Sequence, residues 1–153
     1  MKTALRESAE KLIDEGTMHG YLAYDGDVSV GWCNAGDRRS YIRAGDFIPW
    51  EKREEDYYID EKERGRTKSL VCFETAPEYR GQGIAKMLLA RVVDDAEKEG
   101  YEAVEAYPQV KDGFSALDFT GSVRMYQNAG FEETNRHGKT AVMRKQLKLS
   151  KGE

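Results

Sequence analysis

The chain has 153 residues, of which 39% are hydrophobic and 34% are charged, and its formal net charge is −4. This size suits one domain spanning residues 1–153, and the mild acidic balance gives no electrostatic reason to expect a nucleic-acid partner. Two cysteines without CxxC spacing, two distant histidines, no signal peptide and no apolar run of transmembrane length argue against a disulfide, a metal site and a membrane span, so we expect a cytoplasmic protein.

The first elements are predicted to be a helix and a hairpin. Residues 3–15 carry apolar side chains at three- and four-residue spacing, which predicts a helix that Gly16 can end. Residues 20–24 and 28–33 are rich in aromatic and β-branched residues, and the sequence Asp-Gly-Asp between them is typical of a hairpin turn.

Residues 34–67 form a charged, variable segment. Acidic and basic residues mix over 51–66 with little apolar periodicity, so a solvated loop or a short exposed helix is one interpretation. The other is a mobile flap over an acceptor site, because long loops in small domains often carry function. Apolar residues such as Phe47 and Trp50 indicate that part of the segment packs down.

A β-α-β unit is predicted in the middle of the chain. Residues 69–75 are a largely apolar run typical of a buried strand, and residues 101–107 form a second strand. Between them, residues 83–99 carry two adjacent rows of apolar side chains four residues apart, which predicts an amphipathic helix that Gly100 can end. One crossover helix between two strands implies that the strands are parallel.

The C-terminal third is predicted as a loop, a short helix and two strands. Residues 111–120 form the loop and residues 122–129 the helix, which Ser122 can cap. Residues 131–134 and 139–147 form the final pair of strands.

The loop before the central helix has the character of a phosphate site. It reads YRGQGIA from Tyr79 to Ala85. Glycines at 81 and 83 allow a sharp turn and a close approach to a ligand. The amides that open the helix point outward with the helix dipole, and Arg80 adds a positive charge.

Three phosphate-binding patterns compete for this loop. The Walker pattern GxxxxGK[ST] is not met, and GxGxxG fails because Lys86 stands at its third glycine. The pattern Arg/Gln-x-x-Gly-x-Gly/Ala is met by Arg80, Gly83 and Ala85. Here it follows a buried strand and opens an amphipathic helix.

These segments resemble the GNAT (Gcn5-related) acetyltransferase superfamily. CFETAPEYRGQGIAKMLLARVVDDAEKEGYEAVEAYP resembles its central motif, MYQNAGF its tyrosine-bearing short helix, and GYLAYDGDVSVGWCNA its preceding hairpin. The resemblance covers about residues 3–147. It implies an α+β fold with a mixed, mainly antiparallel sheet, helices on both faces, and a parallel strand pair that diverges. The strand and further helix with which the family usually begins are not visible, so the chain either lacks them or is shortened.

The resemblance also implies a cofactor site for acetyl-CoA and no metal. The pyrophosphate would bind the loop, and the pantetheine would pair with the backbone of the central strand. A backbone N–H near Phe73 would polarise the acetyl carbonyl. The implied cofactor residues are Phe73, Glu74, Thr75, Arg80, Gly81, Gln82, Gly83, Ile84, Ala85 and Tyr126.

The resemblance implies a general acid at a matching residue, but it leaves the general base open. Tyr126 matches the family's general acid, which protonates the departing thiolate, although a core tyrosine is the alternative. Some members carry a base glutamate where this chain has Ser69. Glu74 and Glu105 are the candidate bases, with a solvent-facing or ion-paired glutamate as the alternative, and a positioned water can also serve.

The predicted function is transfer of an acetyl group from acetyl-CoA to a primary amine of a small molecule or peptide in a ternary complex. A non-catalytic acyl-CoA-binding module is the alternative, and a structural domain that binds an anion is a third reading. A homodimer is suggested by family analogy alone.

Overall fold

The chain forms a six-stranded sheet with three α-helices in the part that is described. The computed structural model describes residues 2–41, 62, 65–113 and 119–148. Its elements are α1 (Lys2–Asp14), β1 (Gly20–Asp25), β2 (Val28–Asp37), a 3-10 turn (Arg38–Tyr41), β3 (Thr67–Thr75), a 3-10 turn (Pro77–Tyr79), α2 (Ile84–Lys98), β4 (Ala103–Ala106), α3 (Val123–Asn128), β5 (Glu132–His137) and β6 (Thr140–Gln146). Most of the variable segment predicted at 34–67 lies outside the described residues.

The sheet order is β1-β2-β3-β4-β6-β5, and every neighbouring pair is antiparallel except β3 and β4. The predicted mixed, mainly antiparallel α+β fold is therefore confirmed, including its parallel strand pair. None of the helices within the described ranges is long and apolar enough to cross a membrane.

Strand β2 is longer than predicted. It continues from Cys33 to Asp37, because residues 34–37 pair with β3 between Lys68 and Cys72. The sequence prediction ended the strand at Cys33, since glycine, asparagine and aspartate are poor strand formers. Hydrogen bonding to the neighbouring strand outweighs that weak preference here.

The parallel ladder between β3 and β4 is short. It runs from Thr67↔Ala103 to Leu70↔Ala106, where β4 ends. Strand β3 continues to Thr75, so its last residues have no β4 residue beside them. The strand that the sequence predicts at 101–107 is thus shorter in the structure, where β4 spans Ala103–Ala106. The sheet opens at this edge of β3.

Helices α2 and α3 pack on one face of the sheet. Leu89 and Val92 of α2 are buried against the strands, and Tyr126 of α3 belongs to the same cluster. The opposite face carries a smaller cluster around Tyr107 and Val142. The main core therefore lies between the sheet and these two helices, which holds the start of α2 close to the end of β3.

Cys33 is a buried core thiol. It is fully buried, and burial raises its pKa to about 12. Cys72 is half-buried, and burial raises its pKa as well. Both thiols are free cysteines.

We expect Cys33 to resist a chromogenic disulfide reagent at mildly alkaline pH in a Cys72→Ala variant, where it is the one remaining cysteine. The raised pKa keeps the thiol protonated, and burial excludes the reagent. The same variant unfolded in urea should react with one equivalent. Rapid labelling of the native variant would contradict the burial of Cys33.

Candidate active site

A cleft of about 840 Å³ lies where β3 extends beyond β4. Trp32 and Tyr41 form one wall, and residues 73–75 of β3 line the cleft beside them. The glycine loop before α2 closes one end, and Phe119 and Gly121 lie on another side. The cleft therefore joins the strand edge to the loop with phosphate-site character.

The glycine loop leaves its backbone open to a ligand. Gly83 is the N-cap of α2 at φ 84°, with no side-chain cap, and Gly81 has φ 76°. A Cβ placed on either glycine would meet nothing within 4 Å. The first amides of α2, beginning at Ile84, therefore open toward space that an anion can approach.

The cationic side chains of the cleft lie at this loop. Arg80 and Lys86 both line the cleft, and Arg80 Nε donates to the Thr75 carbonyl at 3.3 Å. Of the predicted loop residues, Gln82 differs: its side chain donates to the Glu78 carbonyl at 3.2 Å and is not part of the lining. The loop end of the cleft is thus positively charged.

The amide of Phe73 lies at the open edge of β3. Its side chain is buried in the core, and its N–H donates to the backbone carbonyl of Phe119 at 2.6 Å. The donor predicted to polarise an acyl carbonyl therefore lies in the cleft wall and has a carbonyl partner. That geometry shows that a carbonyl oxygen can occupy this position.

Tyr126 lies just behind the cleft. The residue is fully buried, and its hydroxyl donates to the Thr120 carbonyl at 2.8 Å. Burial raises the pKa of the phenol well above its usual value, and Cys33 adds to the rise. Tyr126 is not in the cleft lining, but a Cβ on the lining residue Gly121 would lie 2.9 Å from its hydroxyl. Its role as an acid stays a prediction.

The structure separates the two predicted bases. Glu74 is exposed, lines the cleft and pairs across the sheet with Trp32. Glu105 is fully buried: it accepts from Arg144 at 2.8 Å, and Arg38 Nε lies 3.7 Å from its other oxygen. Glu105 therefore has the surroundings of an ion-paired glutamate, the alternative to a general base. Of the two glutamates, Glu74 is the one that lies close to the loop.

Ser69 is enclosed in the same buried group as Glu105. Its hydroxyl lies 2.6 Å from the Tyr107 hydroxyl, which in turn donates to Glu105 at 3.2 Å. Both hydroxyls are buried, so Ser69 does not replace the missing glutamate with a group that reaches the cleft. No group of three or more His, Cys, Asp or Glu suited to a metal occurs among the residues that the structure describes.

Sequence reasoning missed the aromatic wall of the cleft. The sequence patterns single out neither Trp32 nor Tyr41 as a site residue, and they end the predicted strand before Asn34, whose Oδ1 accepts from the Tyr41 hydroxyl at 2.7 Å. One usable signal was the strand alternation that places Trp32 and Asn34 on the same face of β2. Phe119 carried no such signal, since it contributes a backbone oxygen.

A protein-family profile described as "Acetyltransferase (GNAT) family" matches residues 2–131 of the chain. A search of curated protein sequences finds no match. The profile match covers most of the chain, including the whole cleft that is described above.

Several solved structures are similar to the chain. A Pyrococcus horikoshii protein is 19% identical with a TM-score of 0.56, and the match covers 85% of this chain and 66% of that protein, slightly less than two thirds of its length. A ribosomal-protein-alanine N-acetyltransferase from Brucella melitensis is 19% identical, with coverages of 95% and 78% and a TM-score of 0.56. A Salmonella typhimurium protein, solved with its cofactor acetyl-CoA, is 18% identical, with coverages of 99% and 75% and a TM-score of 0.56. At these identities the likeness supports the fold alone.

Glu105→Gln should destabilise the protein by roughly 3–5 kcal/mol, because the buried Arg38 and the largely enclosed Arg144 lose their shared negative charge. Denaturant unfolding measures the loss. Glu133→Gln is the matched control, since Glu133 pairs with Arg136 at 2.6 Å on an exposed hairpin. Solvated pairs contribute little, so this control should unfold close to wild type. Equal midpoints for both variants would contradict a structural role for Glu105.

Proposed function

This chain belongs to the acetyltransferase (GNAT) family, and we propose that it transfers the acetyl group of acetyl-CoA to a primary amine while both substrates are bound. One observation carries the proposal: a single cleft joins the open glycine loop, the edge amide of Phe73 and the exposed carboxylate of Glu74. An anion site, an oxyanion donor and a base are the groups that such a transfer needs.

The residues around the cleft fit CoA. The amides from Gly81 to Ala85, including those of Gln82 and Ile84, would hold the pyrophosphate, with Arg80 supplying positive charge. The open space beside Gly81 and Gly83 supports this assignment. The backbone of residues 73–75 would pair with the pantetheine as an added strand does. Acetyl-CoA supplies the reactive acyl thioester.

Three residues would then handle charge and protons. The N–H of Phe73 donates to the acyl oxygen as negative charge develops there. Glu74 takes a proton from the attacking amine, directly or through a water, as the new C–N bond forms and the C–S bond breaks. Tyr126 donates its hydroxyl proton to the departing sulfur. We assign the base to Glu74 rather than Glu105, because both oxygens of Glu105 face arginines in the interior.

The acceptor is proposed as a small-molecule or peptide amine. The Brucella neighbour is named as a ribosomal-protein-alanine N-acetyltransferase, which motivates the peptide alternative. A second candidate function is a non-catalytic acyl-CoA-binding module. The bond from the Tyr126 hydroxyl to Thr120 favours it, because that hydroxyl already has a partner. Release of free thiol from acetyl-CoA with a panel of amines separates the two functions.

Gly83→Asp should weaken CoA binding by roughly 10- to 100-fold, because its carboxylate lies where the phosphates bind. Calorimetry measures the affinity. Gly100→Asp is the matched control: it stands at φ 77° beyond the other end of α2, and a Cβ there also meets nothing within 4 Å. Both variants place an aspartate in left-handed backbone and so share that conformational cost. They differ in whether the new carboxylate lies at the glycine loop. Equal affinities in the two folded variants would refute the phosphate site.

Tyr126→Phe should slow single-turnover acetyl transfer by ~10²–10⁴-fold at saturating acetyl-CoA, because the departing sulfur loses its proton donor. Tyr107→Phe is the control, since it removes another buried phenol hydroxyl, one that contacts Ser69 and Glu105, neither of which lines the cleft. Single-turnover rates avoid a limit set by product release. A wild-type rate in folded Tyr126→Phe would show that the hydroxyl is structural.

A further inference from the structure

Residues 119 and 120, hereafter the 119–120 segment, connect the two ends of the proposed reaction. The carbonyl of Phe119 accepts from the amide of Phe73 at 2.6 Å. The carbonyl of the next residue, Thr120, accepts from the hydroxyl of Tyr126 at 2.8 Å. One short segment therefore holds both the donor assigned to the acyl oxygen and the donor assigned to the sulfur.

The segment is closely packed against Tyr126. Gly121 follows it at φ 80°, and a Cβ there would lie 2.8 Å from Met125 Cε and 2.9 Å from the Tyr126 hydroxyl. Downstream, Ser122 accepts from the amide of Met125 at 3.1 Å and so caps α3. The segment thus has a firm attachment on the α3 side. The contact with the Phe73 amide joins the segment to β3.

The bond to Phe73 competes with the proposed acyl oxygen. A backbone N–H makes one strong hydrogen bond, and the Phe119 carbonyl holds it in this structure. An acyl oxygen takes that donor only after the Phe119 carbonyl leaves it. Only the two backbone dihedrals of Thr120 lie between the Phe119 and Thr120 carbonyls, so the inference requires that a displacement of the first carbonyl is transmitted through this one residue to the second.

We propose that binding of acetyl-CoA displaces the 119–120 segment from Phe73 and thereby releases the hydroxyl of Tyr126 toward the cleft. The inference rests on the proposed function. The 119–120 segment is then a positioning element for Tyr126. The acyl group, whose transfer needs the proton of Tyr126, is also the group that frees the Tyr126 hydroxyl. CoA without an acetyl group has no acyl oxygen to compete for the N–H of Phe73, and its pantetheine can pair with the Phe73 carbonyl and with Thr75, so both bonds of the segment stay in place.

The coupling changes how the Tyr126 hydroxyl affects binding. In the wild type, acetyl-CoA displaces two hydrogen bonds made by the segment. In Tyr126→Phe the bond to Thr120 is gone, so less has to be broken. We expect acetyl-CoA to bind Tyr126→Phe about 2- to 10-fold more tightly than wild type, which corresponds to the net worth of one hydrogen bond. A hydroxyl that merely stabilises the fold would not tighten cofactor binding.

Calorimetry without an amine tests this expectation with two ligands and two variants. Acetyl-CoA should bind Tyr126→Phe more tightly, while CoA should bind it with wild-type affinity. Tyr107→Phe is the control and should match wild type for both ligands, because its hydroxyl contacts Ser69 and Glu105 rather than the segment. An unchanged or weaker affinity of folded Tyr126→Phe for acetyl-CoA would overturn the coupling.

NMR of the wild-type chain follows the bonds themselves. The scalar coupling across the hydrogen bond between the Phe73 nitrogen and the Phe119 carbonyl carbon should vanish with acetyl-CoA and persist with CoA. The Thr120 carbonyl resonance should shift in the same titration. If acetyl-CoA shifts the loop amides from Gly81 to Ala85 but the coupling survives, the inference is wrong and the cofactor site stands. If neither changes, the proposed function fails as well.

Discussion

The parallel ladder between β3 and β4 ends at Leu70↔Ala106, and the candidate site depends on that early end. Strand β3 continues to Thr75, so its backbone donors on that edge have no strand to bond with. Backbone N–H groups in a protein interior are almost always paired, and Phe73 takes the carbonyl of Phe119. The sheet therefore contains an internal edge, which is the feature that lets an extended ligand add to a strand.

Strand β3 also leads directly into the glycine loop, which is the proposed anion site. After Thr75 a single 3-10 turn leads into the glycine loop, and α2 starts at Ile84. Helix α2 is fixed to the sheet by buried residues such as Leu89 and Val92. Because the helix packs back on the strands that it connects, its N-terminus cannot drift from the internal edge. A ligand with phosphates at one end and an acyl group at the other, as proposed for acetyl-CoA, would extend from this loop along the internal edge.

The main elements of the fold could be predicted from the sequence because their signals are local. The two apolar rows predicted a helix over residues 83–99, and α2 spans Ile84–Lys98. The register of β3 could not be predicted in the same way. The pairing shifts between Asn34 and Ala35, so Leu70 and Phe73 both face the main core although they are three positions apart, an odd number. Simple alternation from Leu70 would turn Glu74 toward the core, whereas the irregularity leaves it facing the cleft.

The candidate site was predictable where side-chain type carried the signal. Glycines and an arginine marked the loop, but Glu74 and Glu105 were equivalent in sequence, since both interrupt apolar strands. Their difference arises from Arg38 and Arg144, which reach Glu105 from distant parts of the chain. The contacts of the 119–120 segment had no sequence signal at all, because backbone carbonyls make them.

The acidity of Tyr126 depends chiefly on its burial. A thiol has an ordinary pKa of about 8.5 and a phenol one of about 10, so burial that raises the phenol pKa makes it a poorer donor to a thiolate. A hydroxyl turned toward a water-accessible cleft loses part of that desolvation, and its pKa falls back toward the ordinary value. The movement that would free the hydroxyl of Tyr126 would therefore also make it a stronger acid at the point where sulfur needs a proton.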